Sequence, residues 1–308
     1  MMKKISVLII TYNQEQVIRR TLDSVLQQVD EGLYEIVVND DCSKDSTWQI
    51  LKEYETQYPQ IVRANRNQTN KGIYGNAWEL YSHRGDAELF MFLDGDDILC
   101  PGLFSSIQSF IAKNDIDTTG SVGIYFDWKS ISPRHNETVY RQDIVEWSGD
   151  HPFSLAIRGH VCFRGAVFSK DVLDAYEPVV LDKGLNLAEA MYDFQGIRLA
   201  EKYYYIPFVG SAYFTSIGVS KELTSDTAYY NEEDVARWDF FIAHYARNTK
   251  DRNWMKACRL RTICKMKFSV SDYLRMCYFY MLGVASYDLK LRKVANFLLL
   301  RGYAMYLY

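Results

Sequence analysis

Leu89-Phe90-Met91-Phe92-Leu93-Asp94-Gly95-Asp96-Asp97 decides how this chain is read, because an unbroken apolar run passes straight into three carboxylates split by one glycine. A continuous apolar run of this length suits a parallel strand covered on both faces, ending where the acids begin. Three earlier runs share that character: Ile5-Ser6-Val7-Leu8-Ile9-Ile10, Glu35-Ile36-Val37-Val38 and Ile61-Val62. Helical stripes lie between them, with Val17, Leu22, Val25 and Leu26 on one and Trp48, Ile50, Leu51 and Tyr54 on another. Strand–helix–strand alternation predicts an α/β fold with a doubly wound, mostly parallel central sheet. Such sheets bind ligands beyond the carboxyl ends of their strands. The polar residues that follow each strand are therefore the candidate site.

After the first strand comes Thr11-Tyr12-Asn13-Gln14, where a dinucleotide fold would carry a GxGxxG turn. The chain contains neither that motif nor a GxxxxGK[ST] loop, which removes the ordinary nicotinamide and P-loop readings. After the second strand come Asp40 and Asp41, and a carboxylate placed there can accept a hydrogen bond from a ring N–H such as uracil N3. Ser43, Asp45 and Ser46 read equally well as caps of the next helix. The acids Asp94, Asp96 and Asp97 suit Mg²⁺ or Mn²⁺ holding a diphosphate, since these cations take few protein oxygens and share their shell with phosphate and water. A solvated acidic turn is the alternative.

The chain has 308 residues, 48% hydrophobic and 24% charged, which excludes a disordered or collagen-like chain and allows one large domain or two modest ones. The formal charge of -4 is unevenly placed: residues 248–308 hold 12 Lys+Arg against 3 Asp+Glu, leaving 23 against 36 for residues 1–247. An acidic body argues against nucleic acid as a partner, and the basic tail is a candidate for an anionic surface. Six cysteines show no CxxC or paired spacing with histidine, as expected of reduced thiols in a cytosolic protein. His83, His135, His151, His160 and His244 lack zinc-ligand spacing. The opening MMKKISVLII is too short in its apolar run for a signal peptide. The longest apolar run, Cys277 to Tyr287, has 11 residues, short of the roughly 18 to 20 that span a bilayer. The expected location is the cytoplasm.

Beyond residue 105 the pattern loosens. Ser121–Trp128 and Val161–Phe168 look like strands, Leu187–Glu201 like a helix and Tyr203–Phe208 like an apolar strand. From about Asn231 onward the pattern is helical, with a break near Asn248–Arg252.

Ser6 to Asn13, Asn39 to Thr47, Asn70-Lys71-Gly72 with Asn76, and Phe92 to Asp97 together resemble the family 2, GT-A-fold glycosyltransferases, four motifs in order over the N-terminal third. The resemblance implies a GT-A (Rossmann-like) nucleotide-sugar-binding fold. Its donor half would be 1–105, its acceptor half 106–225, and a helical, basic C-terminal region would fill 226–308. It also implies roles. Thr11 and Tyr12 would cradle uracil with the Tyr12 ring stacked on it, Asn13 would belong to the same donor site, and Asp41 would take the N3–H while Asp40 supports that loop. Asn70 and Gly72 would pass near ribose and diphosphate. Asp94 would touch ribose or donor sugar, Asp96 would bind Mn²⁺ or Mg²⁺, and Asp97 would contact the donor sugar or a water beside the metal.

Inverting transfer also needs a general base within reach of the acceptor hydroxyl. The family supplies one from a Glu-Asp pair ahead of an arginine–leucine pattern. Here Tyr192 replaces the first acid, so Asp193, ahead of Arg198-Leu199, is the candidate base and Glu189, one helical turn earlier, the reserve. Both could instead serve the helix dipole. His160 could meet a phosphate or sugar on the acceptor side, or be a structural histidine. The expected partners are a UDP-sugar and a glycan or lipid-linked glycan acceptor of a surface polysaccharide, O-antigen or capsule. The basic C-terminal helices could touch the inner membrane face, cap the fold or form a homodimer. A sugar nucleotidyltransferase, or a non-catalytic binding protein on the same fold, are the alternatives.

Overall fold

The computed structural model describes residues 2–134, 136–141, 151–157, 163–177, 188–215, 227–284 and 291–300. The chain forms two compact units, Met1–Val145 with Cys162–Gly218, and Glu146–Val161 with Val219–Tyr308. The segments expected as donor and acceptor halves thus largely share one unit.

The first unit is built on one sheet. Its strands are β1 (Ile5–Thr11), β2 (Leu33–Asp40), β3 (Val62–Arg66), β4 (Leu89–Asp94), β5 (Ile98–Leu99), β6 (Val122–Ile131), β7 (Glu137–Tyr140), β8 (Ala166–Ser169) and β9 (Lys202–Phe214). They lie in the order β3-β2-β1-β4-β8-β6-β9-β5, with β7 paired on β6. β1 runs parallel to both β2 and β4, and β3 parallel to β2. β8 is the antiparallel strand between β4 and β6, and β9 runs parallel to β6. The mostly parallel α/β sheet read from the sequence is the one observed.

Both faces are covered, which is why the strands read as continuous apolar runs. Ile5, Val7 and Ile9 join Leu22, Leu51 and Phe104 in one core. These last three come from α1 (Ile18–Leu26), α2 (Thr47–Gln57) and α4 (Leu103–Lys113). The alternate residues Leu8, Val37 and Phe90 are equally buried on the other face, as are Ala77 and Leu80 of α3 (Gly72–Ser82). Each such side chain contributes about 1.5–3 kcal/mol of gross burial, enough in sum to fix the strand ends that carry the site.

β9 runs further than the apolar run ending at Phe208 implies. Its register against β6 slips, with Phe126 opposite Ile206, Asp127 opposite Val209 and Trp128 opposite Ser211. Pro207 falls within that irregularity, where its missing N–H breaks no ladder bond. The strand beyond it pairs with β5, Ile98 opposite Ala212.

In the second unit the described helices are Pro152–Ala156, Thr227–His244, Thr249–Met266, Val270–Gly283 and Leu291–Leu298. Asn248 caps the second long one, accepting the Asp251 N–H at 2.8 Å. Asp251 in turn accepts the Ser154 hydroxyl at 2.6 Å, and the Trp254 indole N–H donates to the Ile157 carbonyl at 3.0 Å. These buried bonds join the 151–157 segment to the C-terminal helices. No described helix is long and apolar enough to cross a membrane.

Candidate active site

Adjacent strand ends bring the candidate residues together. Thr11 lies opposite Asp40, and Ile10 lies between Asn39 and Asp94. The motifs after β1, β2 and β4 therefore share one edge of the sheet.

The β1 and β2 loops are laced to each other. The Asp41 N–H donates to the Thr11 carbonyl at 3.0 Å, and the Asn13 N–H donates to the Ser43 hydroxyl at 2.8 Å. Asn13 Oδ1 accepts the Lys44 N–H at 2.8 Å. Asn13 has φ 51° and Cys42 φ 61°, a left-handed backbone that costs a non-glycine residue about 1–3 kcal/mol and is held by these bonds. Asp45 behaves as a cap, accepting the Thr47 N–H at 3.0 Å and its hydroxyl at 2.6 Å.

Asp40 is fully buried and supports the loop from within. It accepts the Ser43 hydroxyl and N–H and lies 3.1 Å from Arg66 Nε. Burial raises its pKa, opposed by the Ser43 hydrogen bonds and Arg66. Asp41, 2% exposed, is held differently. Its Oδ1 accepts the Asn67 amide at 2.7 Å and the Lys71 N–H at 2.8 Å, whereas among the described residues nothing donates to Oδ2. Asn67 is in turn tied to Asn39 and Asn76, at 3.0 and 3.2 Å. A buried amide cluster thus orients the carboxylate. Tyr12 is half-buried and Asn13 exposed beside it. Asn70 Oδ1 accepts the Gly72 N–H at 3.0 Å, and Gly72 enters α3 with φ 72°.

The turn after β4 concentrates charge. Asp96 and Asp97 are 7% and 5% exposed, with Asp94 half-buried alongside. Asp97 has both oxygens committed within the fold: Oδ2 accepts Arg164 Nη1 at 2.8 Å, and Oδ1 accepts the Phe214 N–H at 3.3 Å. Arg164 also reaches Asp94 Oδ2 at 3.3 Å and lies 4.0 Å over the Tyr213 ring. Arg20 donates to the Asp96 carbonyl at 2.7 Å and stacks 3.6 Å from the Phe214 ring centre. The Asp96 carboxylate itself accepts no hydrogen bond from another described residue. Burial, and then the neighbouring Asp94 charge, push its pKa up to about 7. Burial also holds Asp97 well above the ordinary carboxylate range, against the pull of Arg164.

Gly95 fixes this turn against β1. Its N–H donates to the Ile10 carbonyl at 3.0 Å. A Cβ added there would fall 2.2 Å from Gln14 Oε1 and 2.9 Å from the Ile10 carbonyl oxygen. Gly95→Ala is therefore expected to lower unfolding free energy by about 1–3 kcal/mol, read as a lower denaturant midpoint. An unchanged midpoint would mean that the turn yields freely.

Asp193 and Glu189 lie on the helix Ala188–Leu199, with their side chains outside the described residues, as is His160 entirely. The helix backbone just beyond Asp193 is anchored: Phe194 and Ile197 are buried, and Gln195 exchanges bonds of 3.0 and 2.8 Å with the Glu177 backbone. Arg164, Arg20, Asn67 and Gln14 were not singled out by sequence reasoning. The one available signal was their polarity next to apolar stretches, which many surface residues share.

The sequence model described as "Glycosyl transferase family 2" matches residues 6–176. Over 117 residues the chain is 31% identical to the poly(ribitol-phosphate) beta-N-acetylglucosaminyltransferase TarS of Staphylococcus aureus, a stretch covering 38% of this chain and 20% of that protein. The chain spans about a fifth to a quarter of the length of the first curated relatives it matches. Among solved structures, S. aureus TarS 1–349 in complex with UDP-GlcNAc superposes with a TM-score of 0.65 at 15% identity, covering 96% of this chain and 90% of that one. The mannosyltransferase PcManGT from Pyrobaculum calidifontis, in complex with GDP-Man and Mn²⁺, gives 0.56 at 12% identity, covering 97% and 86%. The likeness is one of fold, the GT-A arrangement.

Proposed function

Because the chain belongs to glycosyl transferase family 2, we propose that it moves a sugar from a UDP-sugar to a glycan acceptor of a surface polysaccharide, inverting the anomeric carbon in a single displacement. The observation that carries this reading is the pair of committed-and-open carboxylates at neighbouring strand ends. Asp41 is gripped through Oδ1 with no described donor on Oδ2, and Asp96 is buried with no described donor on its carboxylate.

In this reading Thr11, Tyr12 and Asn13 form the wall beside the uracil, with the Tyr12 ring stacked on it. Asp41 Oδ2 accepts the uracil N3–H, and Asp40 holds the loop. Asn70 and Gly72 lie along the ribose and diphosphate, with Asp94 at the ribose or sugar. Asp97, held by Arg164 and the Phe214 N–H, would contact the donor sugar or a water beside the metal.

The turn after β4 fits a divalent cation. A buried carboxylate beside a like charge, its pKa raised to about 7, is relieved by a hard cation, and oxygen is the donor that Mn²⁺ and Mg²⁺ prefer. No group of three or more metal-binding side chains converges among the described residues. Asp96 would hold the ion. Bound there, it supplies Lewis-acid stabilisation of the charge on the departing diphosphate. The base is Asp193, with Glu189 in reserve. An acceptor carried on a lipid, in O-antigen or capsule assembly, fits the basic C-terminal helices. The likeness to TarS, a poly(ribitol-phosphate) beta-N-acetylglucosaminyltransferase, supports a polymeric surface glycan of this general kind.

The pH dependence follows from Asp96. Its folded pKa lies above the ordinary 3.8, so the folded protein retains a proton there that the unfolded chain has lost, and ionising it costs stability as pH rises towards 7. Asp96 would give up that proton on holding Mn²⁺. Saturating Mn²⁺ is accordingly expected to raise the melting temperature more at about pH 8 than at about pH 5.5. An equal shift at both would place the ion elsewhere. The function itself is tested by measuring UDP release from a panel of UDP-sugars with Mn²⁺. Release from one donor, accelerated by a glycan acceptor and lost with chelator, supports the reading, and no release from any of them counts against it.

A further inference from the structure

The helix Val270–Gly283 is apolar on two opposite faces. One face packs inside the second unit: Met276, Tyr280 and Gly283 are buried. The Tyr280 ring lies 5.7 Å from that of Trp254 on the neighbouring helix Thr249–Met266. Gly283 approaches so closely that an added Cβ would fall 2.3 Å from the Trp254 backbone nitrogen. The other face carries Val270, Leu274, Tyr278 and Met281, spaced by four, four and three residues and so aligned in one stripe. Phe268 stands in the turn just before. Each of these five is between 62% and 72% exposed, an apolar surface that water alone does not favour and that marks a partner.

We propose that this stripe docks on an anionic lipid bilayer, with the helix lying in the plane of the membrane surface. Charge selects the occupant. Lys267 is exposed at the start of the stripe, and the Arg275 side chain on its flank remains 63% exposed although it lies 3.3 Å from Asp272. Basic flanks around an aromatic and aliphatic stripe are what anionic headgroups and the underlying acyl region attract. A symmetric dimer through the same face is the competing occupant, and the oligomeric state tells the two apart. At 14 residues the helix is about 21 Å long, short of the roughly 30 Å hydrocarbon core, so it lies on the membrane without spanning it. The inference deepens the proposed function by naming where a lipid-linked acceptor would be met. Its test needs neither donor nor turnover, so the two can fail separately.

The test is co-sedimentation of the full chain with vesicles of phosphatidylglycerol and phosphatidylcholine, and with phosphatidylcholine alone, at low and high salt. The wild type is expected to sediment with the anionic vesicles, less so at high salt. L274E/M281E should weaken that binding at least about tenfold, and K267Q/R275Q about fivefold per charge removed. Both variants should keep the wild-type melting temperature and UDP affinity. Should L274E/M281E fail to fold, L274S/M281S carries the same expectation. Wild type that ignores anionic vesicles, or an apolar-stripe variant that binds them as well as wild type, overturns the proposal. So does a wild-type dimer, dissociated by L274E/M281E in sedimentation velocity, that shows no vesicle binding.

Discussion

Asp193→Ala is expected to lower turnover by about 10²- to 10⁴-fold, the usual contribution of a positioned general base, with UDP affinity in Mn²⁺ left within about twofold. In the proposed single displacement the acceptor hydroxyl forms its bond to the anomeric carbon as the bond to the diphosphate breaks, and its proton passes to a base beside the acceptor. The helix Ala188–Leu199 can hold such a group still. Phe194 and Ile197 are buried, and the Gln195 side chain is clamped to the Glu177 backbone through both amide atoms. Tyr192 stands where the family pattern places a first acid, and the resemblance makes Asp193 the proposed base. Glu189→Ala is the companion variant. Turnover retained in Asp193→Ala but lost in Glu189→Ala moves the base one helical turn earlier, and turnover retained in both removes this helix from the chemistry.

Asp96→Asn should act in two opposite directions. Metal-dependent affinity for UDP falls by at least about a hundredfold, since the amide keeps the shape and loses the charge that a hard cation needs. Stability without metal should rise at about pH 8, because the substitution removes a buried ionised carboxylate whose pKa stands at about 7. Near pH 5 the native residue is already mostly protonated, and the stability difference should shrink. A site that destabilises the empty fold is ordinary for a residue kept for its ligand. A variant that is less stable than wild type at pH 8, yet binds UDP with Mn²⁺ unchanged, would assign Asp96 a structural role instead.

Much of the first unit was legible because its strands are buried on both faces. Ile5, Val7, Leu8 and Ile9 are all fully covered, and so the run in which they stand reads as a strand without alternation. The acids after β2 and β4 were legible from position alone, since they follow such runs. Reading failed where distant segments decide the outcome. Arg164 meets Asp97 across 67 residues of sequence, and no local pattern couples the two. The other partner of Asp97, the Phe214 N–H, arrives because β9 continues past Pro207 through a register slip. The apolar run reads as ending at Phe208, and nothing local announces the continuation through Phe214. The left-handed backbone at Asn13 and Cys42 was also hidden, because neither position is a glycine and the conformation is imposed by hydrogen bonds between the two loops. In the second unit the helical periodicity was visible, but the joining of Ser154 to Asp251 and of Trp254 to Ile157 depends on a segment almost a hundred residues away.

Calorimetric titration of UDP, GDP and dTDP into the protein, each with Mn²⁺ and again with chelator, tests the central claim most directly. The account predicts that UDP binds, that it binds only with metal, and that GDP and dTDP are much weaker. Metal-dependent binding of GDP or dTDP in place of UDP would keep the transferase and discard the role of Asp41 at uracil. Absence of binding by all three nucleotides, with metal and without, would contradict the account.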